Sequence, residues 1–333
     1  MLAPRADRRL RSLLDAADTP LTLGELVDGG FDPLPLPGTG RTLERWQMLA
    51  AVAAHDLSLV KLFEGHTDAL AILAELGADP VPQGSRWGTW CAEPPDARVT
   101  LRLQPDGSCR LSGSKAWCSG AHSVTHAVIS AWNEAGEPCL AAIELDQARV
   151  TVGDHGWQAA GMAAARTVDV HLDAAMATPV GRPGDYVARP GFWQGGAGIA
   201  ACWYGGAAGI AEMTRQRCGP RPDAHRLAHL GAIDVALAGA AAVLRETAAW
   251  IDACPQASAQ LGAQRARLVV EAAATSVMTH AGRALGAAPL CRDARFAQAM
   301  VDLPIFLRQS HAERDLAALG SALLPPVEAP WPL

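Results

Sequence analysis

Residues 111–120 read Leu111-Ser112-Gly113-Ser114-Lys115-Ala116-Trp117-Cys118-Ser119-Gly120. Trp117 stands here in a half-apolar strand. Upstream, Val99-Thr-Leu-Arg-Leu alternates apolar and polar side chains, the two-residue period of a half-buried strand. Asp106-Gly107 supplies hairpin-turn chemistry, and Cys109-Arg-Leu is the return strand that leads towards Trp117. Further short strands are read at Val124–Trp132, Leu140–Leu145, Val150–Val152 and Thr167–Leu172. Frequent turns without long helices between them predict an antiparallel β-barrel or sandwich domain over residues 84–185.

Both flanks change period. Within 1–83, Leu49, Val52, Leu59, Leu62, Phe63, Leu70 and Leu73 recur at helical spacing, so Leu43–Leu76 is expected to be an amphipathic helix pair behind a loop at Pro33, Pro35 and Pro37. Within 186–325, Ile233, Leu237, Ala240, Leu244, Ala248 and Ile251 line one helix face. Leu268–Ala288 reads as another apolar helix, which together predict a helix bundle. The Pro-rich tail after Leu324 reads as extended. The fold class is therefore α+β, with an N-terminal helical domain, a middle β domain and a C-terminal bundle. The alanine-rich composition, 50% apolar but 5% aromatic, agrees with close helix packing.

Bulk properties exclude several classes. A net charge of −6 argues against nucleic-acid binding, which needs a basic footprint. The eight cysteines include no Cys-x-x-Cys pair, so no metal site is expected, and scattered free thiols read as cytoplasmic. Met1–Asp18 has no apolar core of a signal peptide. Pro190–Ala211 is 22 residues without a charge, but seven are glycine, which suits a packed helix rather than membrane insertion.

The order helices, β domain, bundle, with particular residues at the joints, resembles the acyl-CoA dehydrogenase superfamily over about residues 40 to 320. Trp87-Gly-Thr-Trp-Cys-Ala-Glu-Pro is similar to its aromatic-x-x-Thr-Glu-Pro strand. Residues 111–120 are similar to its Asn-Gly-x-Lys-x-Trp-Ile-Thr-Asn segment. Gly161 to Asp173 resembles the strand closing the β domain, and Thr214-Arg-Gln-Arg-Cys-Gly the opening of a bundle helix. The resemblance implies FAD. Trp117 would pack on the flavin ring, the Ser119 hydroxyl would donate to a ring nitrogen, and Thr89, Cys91 and Ala92 would run along the pyrimidine edge. Ala92 stands where the family has Thr. From a neighbouring subunit, Arg215 would meet the pyrophosphate and Cys218 stands on the adenine side where the family has Phe, while His280 and Gly286 match a cofactor-binding glutamine and glycine six apart in the family; the oligomer implied is a homodimer or homotetramer.

The implied activity is acyl-CoA dehydrogenase-like oxidoreduction of an acyl thioester, CoA- or carrier-bound, with electrons passed to a partner protein. That reaction needs a carboxylate base, usually within Arg-Asp-Ala-x-x-x-x-x-x-Glu. Arg292-Asp-Ala-Arg-Phe copies the opening, but Val301 stands at the base position and Asp302 follows it. His311, in a charged run, is the other candidate, since monooxygenases of the superfamily often use a late histidine. Two alternatives stand beside the dehydrogenase: a flavin monooxygenase fed by a reduced-flavin partner, and a flavin-binding scaffold without catalysis. A Rossmann reading of Gly196-Ala-Gly-Ile-Ala-Ala fails for want of a preceding strand.

Overall fold

A computed structural model describes residues 5–17, 19–324 and 331. Apart from Leu324 and Trp331, the tail expected to be extended lies outside the described residues. The chain begins with helices α1 (Arg5–Ala16), α2 (Leu23–Asp28), α3 (Thr42–His55) and α4 (Leu57–Glu75). Strands β1 (Trp87–Trp90), β2 (Val99–Leu103), β3 (Cys109–Cys118), β4 (His126–Trp132), β5 (Pro138–Glu144), β6 (Val150–Val152) and β7 (Val168–Val180) follow. The remainder is helical: α5 (Asp185–Ala188), α6 (Gly191–Arg217), α7 (Ala224–Ala253), α8 (Gln260–Leu285), α9 (Ala287–Arg292), α10 (Ala294–Phe306) and α11 (Glu313–Ala322). The chain packs as two compact units, one of Met1–Leu36 with Ser58–Phe192, the other of Pro37–Leu57 with Trp193–Leu333. The joint expected near residue 84 lies inside the first unit, and α3 belongs with the C-terminal helices.

In the first unit, β4, β2, β3, β7 and β5 pair in sequence, and β5 pairs back to β4, so five strands form a ring. The expectation of an antiparallel sheet needs correction, because β1 and β2 both run parallel to β4. Nothing in Trp87–Trp90 alternates, so the parallel pairing had no sequence signature. Gly113 is required where β3 passes β2: its φ is +126°, and a Cβ there would clash with the Arg98 carbonyl oxygen.

A charge is enclosed within this sheet. Lys115 is buried, and its Nζ donates to Glu93 Oε1 (2.6 Å), Ser130 Oγ (2.7 Å) and the Ser130 carbonyl (3.1 Å). Glu93 also accepts from Ser130 Oγ and from Trp132 Nε1 (2.9 Å). With its three protons used, the ammonium avoids the penalty of an unpaired buried charge.

In the second unit, α6 is a helix of small residues because α3 lies against it. A Cβ on Gly205 would clash with the Ala50 carbonyl oxygen, and one on Gly209 would lie 2.7 Å from that of Ala54. The Rossmann-like glycines therefore sit inside a continuous helix that has no strand before it. Among the described residues the helix long and apolar enough to cross a membrane, by length and composition, is α7 rather than α6.

Burial pushes the Glu93 carboxyl up, but hydrogen bonds from Lys115, Ser130 and Trp132 outweigh it and hold it below the usual 4.5. A depressed folded-state value adds stability above 4.5 that is lost as pH falls through the lowered value. Glu93→Gln is therefore expected to lower stability at neutral pH and to flatten this acid limb. Urea unfolding at a series of pH values measures both effects.

Candidate functional site

The first unit holds a cleft where β1 faces α4. It is shallow, with a cavity of about 10 Å³ that opens to solvent, lined in part by Lys61, Gly65, Thr89, Trp90 and Ser119. Its walls are tied from behind. Trp87 is buried, stacks on His126 with centroids 4.7 Å apart and donates Nε1–H to Ser85 Oγ (2.8 Å). Trp90 is buried too, and its Nε1–H donates to the Ser119 carbonyl (3.1 Å), joining β1 to the end of β3. Thr89 donates its hydroxyl to the Gly65 carbonyl (2.7 Å). Ser119 Oγ and Thr167 Oγ1 share a hydrogen bond of 2.9 Å; when Thr167 donates, the Ser119 proton is left for a ligand.

Trp117 is the anomaly. It is 53% exposed, although tryptophan is mostly buried in folded chains. Its φ is +60°, a left-handed conformation that costs a bulky residue about 1–3 kcal/mol. The cause is a bulge: Lys115 pairs with Val170 and Cys118 with Val168, so β3 carries one residue more than β7 across this step. The indole is thus both strained and held at the surface, two residues before Ser119.

Other predicted residues part company. Cys91 and Ala92 lie just past β1, half-buried. Burial pushes the Cys91 thiol up to about 11, away from the thiolate form. On α6, Arg215 is exposed and bound in fork fashion by Glu212, at 2.6 and 2.7 Å, while Cys218 is buried. His280 on α8 meets His229 of α7 through their Nδ1 atoms at 2.9 Å. Gly286 ends α8 with φ +68°, which accounts for the glycine on backbone grounds.

The two base candidates differ sharply. Asp302 is buried in α10 and accepts from Gln298 Nε2 (2.7 Å). His311 is 57% exposed, its backbone N–H donates to Asp315 Oδ2 (2.9 Å), and its Nδ1 lies 3.5 Å from Asp315 Oδ1. The next residue, Ala312, has φ +45°, again strained for a residue with a side chain. Sequence reasoning missed Gly65 at the cleft and Thr167, which meets Ser119 from just before β7; neither stands in a pattern that marks it out.

No family model and no curated protein matches the chain. Solved structures do. The dibenzothiophene monooxygenase TdsC from Paenibacillus sp. A11-2 superposes with a TM-score of 0.79 at 20% identity, covering 96% of this chain and 95% of that one. The methanesulfinate monooxygenase MsuC from Pseudomonas fluorescens gives 0.79 at 20% identity, over 97% of both chains. KijD3, solved with FMN and a dTDP-linked amino-keto sugar, gives 0.76 at 21% identity, over 95% and 90%. The chain shares their acyl-CoA dehydrogenase-like fold. At this identity the likeness speaks to the fold.

If Trp117 serves a ligand rather than the core, Trp117→Gly leaves stability unchanged within about 1 kcal/mol or raises it, because glycine adopts positive φ without strain. Truncating a buried tryptophan instead costs about 3–5 kcal/mol. Urea unfolding without added ligand distinguishes the two, and a loss in the second range would make Trp117 structural.

Proposed function

We propose that this chain is a flavin-dependent monooxygenase that takes reduced FMN from a separate reductase. The observation that carries the reading is Trp117, an exposed indole on a strained bulge two residues before Ser119 of the cleft. An isoalloxazine needs an aromatic or apolar wall and hydrogen-bonding groups at its edge. Trp117, Ser119 and the backbone of Thr89 fit those needs. Two of the neighbouring folds support the choice of FMN over FAD, since TdsC and KijD3 were solved with FMN. The chain supports it as well: Arg215, the residue the FAD reading gives to the pyrophosphate, is already neutralised by Glu212.

Bound reduced flavin would supply the electrons that activate dioxygen. The chain's part is to hold the ring, exclude water and move protons. His311 is our acid–base group, because it is an exposed imidazole with a carboxylate beside it. Asp302, the dehydrogenase candidate, is enclosed and already hydrogen-bonded, which weighs against thioester α-proton abstraction. The electron-transfer partner becomes a flavin reductase, and the acyl thioester gives way to a small oxidisable molecule. We further propose a homo-oligomer, supported by the exposed Leu227, Val235 and Trp250 of α7.

Supplied with reduced FMN in air, the protein is expected to oxygenate one member of a panel containing indole, dibenzothiophene and methanesulfinate, assayed by product mass. His311→Asn should lower that rate about 100-fold or more while FMN affinity is retained. Bleaching of the FMN- or FAD-loaded protein by an acyl-CoA without oxygen would overturn the proposal in favour of a dehydrogenase.

A further inference from the structure

We infer that Gly65 and His66 of α4 are positioning residues for the flavin: His66 holds the free edge of β1, and Gly65 keeps the Thr89 amide open as a donor to a ring carbonyl. The inference rests on the flavin reading above. Strand β1 has one sheet neighbour, β4, and runs parallel to it. His126 N–H donates to the Arg86 carbonyl across that ladder (3.0 Å), whereas Trp87 directs its N–H away from the sheet, into His66 Nδ1 (3.0 Å). Amides two residues apart on a strand point the same way, so the Thr89 N–H also faces α4.

What it meets there is Gly65. A Cβ built on Gly65 would have the Thr89 nitrogen as its nearest neighbour, at 3.7 Å. That is ordinary van der Waals contact, so packing would admit alanine. Alanine would also favour the helix by about 1 kcal/mol. The fold therefore gains nothing from this glycine, and what its bare Cα preserves is the space over the Thr89 N–H. The Thr89 hydroxyl is already committed to the Gly65 carbonyl, which fixes the strand at this residue.

His66 is buried at 1% exposure. Because Nδ1 accepts from Trp87, its proton sits on Nε2, which faces Asp32 Oδ2 at 3.5 Å. It is enclosed and oriented, so its part is to anchor β1 rather than to touch a substrate. Asparagine can place Oδ1 where Nδ1 lies and keep the Trp87 bond; leucine cannot.

The test uses the full chain, titrated with FMN and followed by its visible bands, with melting of the FMN-free protein as control. Gly65→Ala should melt no lower than the parent, bind FMN about tenfold more weakly and shift the bound bands. His66→Leu should weaken binding similarly, and His66→Asn should restore it to within about threefold. A parent that takes up no FMN refutes the flavin reading itself. A parent that binds, with Gly65→Ala matching it in affinity and bands, overturns this inference alone. So does His66→Asn binding as weakly as a folded His66→Leu; should His66→Leu not fold, the Gly65 arm decides.

Discussion

The buried ammonium of Lys115 is the constraint around which the β domain is arranged. A charge taken out of water is tolerable only when each of its protons is received. Here the acceptors come from Glu93 just beyond β1 and from Ser130 on β4, while the lysine itself belongs to β3. The pair thus clamps three strands at the places where they lead into the cleft. It also sets direction. Two residues on from an inward lysine, a regular strand would turn Trp117 inward as well. The extra residue between Lys115 and Cys118 breaks that alternation and turns the indole to solvent. One ion pair and one bulge therefore account for an exposed, strained tryptophan.

Much of this was legible in the chain, for identifiable reasons. The spacing of Leu49, Val52, Leu59, Leu62, Phe63, Leu70 and Leu73 gave two helices, and these are α3 and α4. Asp106-Gly107 gave a hairpin, and Gly107 does adopt positive φ, +86°. Local patterns leave local traces. The parallel docking of β1 on β4 left none, because a four-residue strand buried at Trp87, Gly88 and Trp90 has no polar alternation to read. The division into units was hidden too, since α3 is contiguous in sequence with α4 but belongs to the other unit.

Site residues divided along the same line. Trp117 and Ser119 came from residues 111–120 and Thr89 from residues 87–94, each through resemblance to a family motif that is local in sequence. Asp302 was named from its place next to the motif's base position; its burial depends on tertiary packing, which that spacing does not show. Arg215 illustrates the reverse: Glu212 three residues earlier is a partner the helix spacing already offers. The contact of His280 with His229, 51 residues apart, is of the kind that only the folded chain discloses.

The chemical reading follows from what is free and what is spoken for. Around β1 the indoles of Trp87 and Trp90 and the Thr89 hydroxyl are all engaged in holding the wall, whereas Trp117 is held out to solvent. A rigid wall with an open aromatic suits a flat ring ligand better than it suits a thiolate or carboxylate chemistry, and the Cys91 thiol is held away from the thiolate form. The most direct measurement is a crystal structure of the protein grown with FMN. The isoalloxazine is expected against Trp117, with its edge accepting from the Thr89 amide. Flavin bound away from β1 and β3, or none bound at saturating FMN, would contradict this placement.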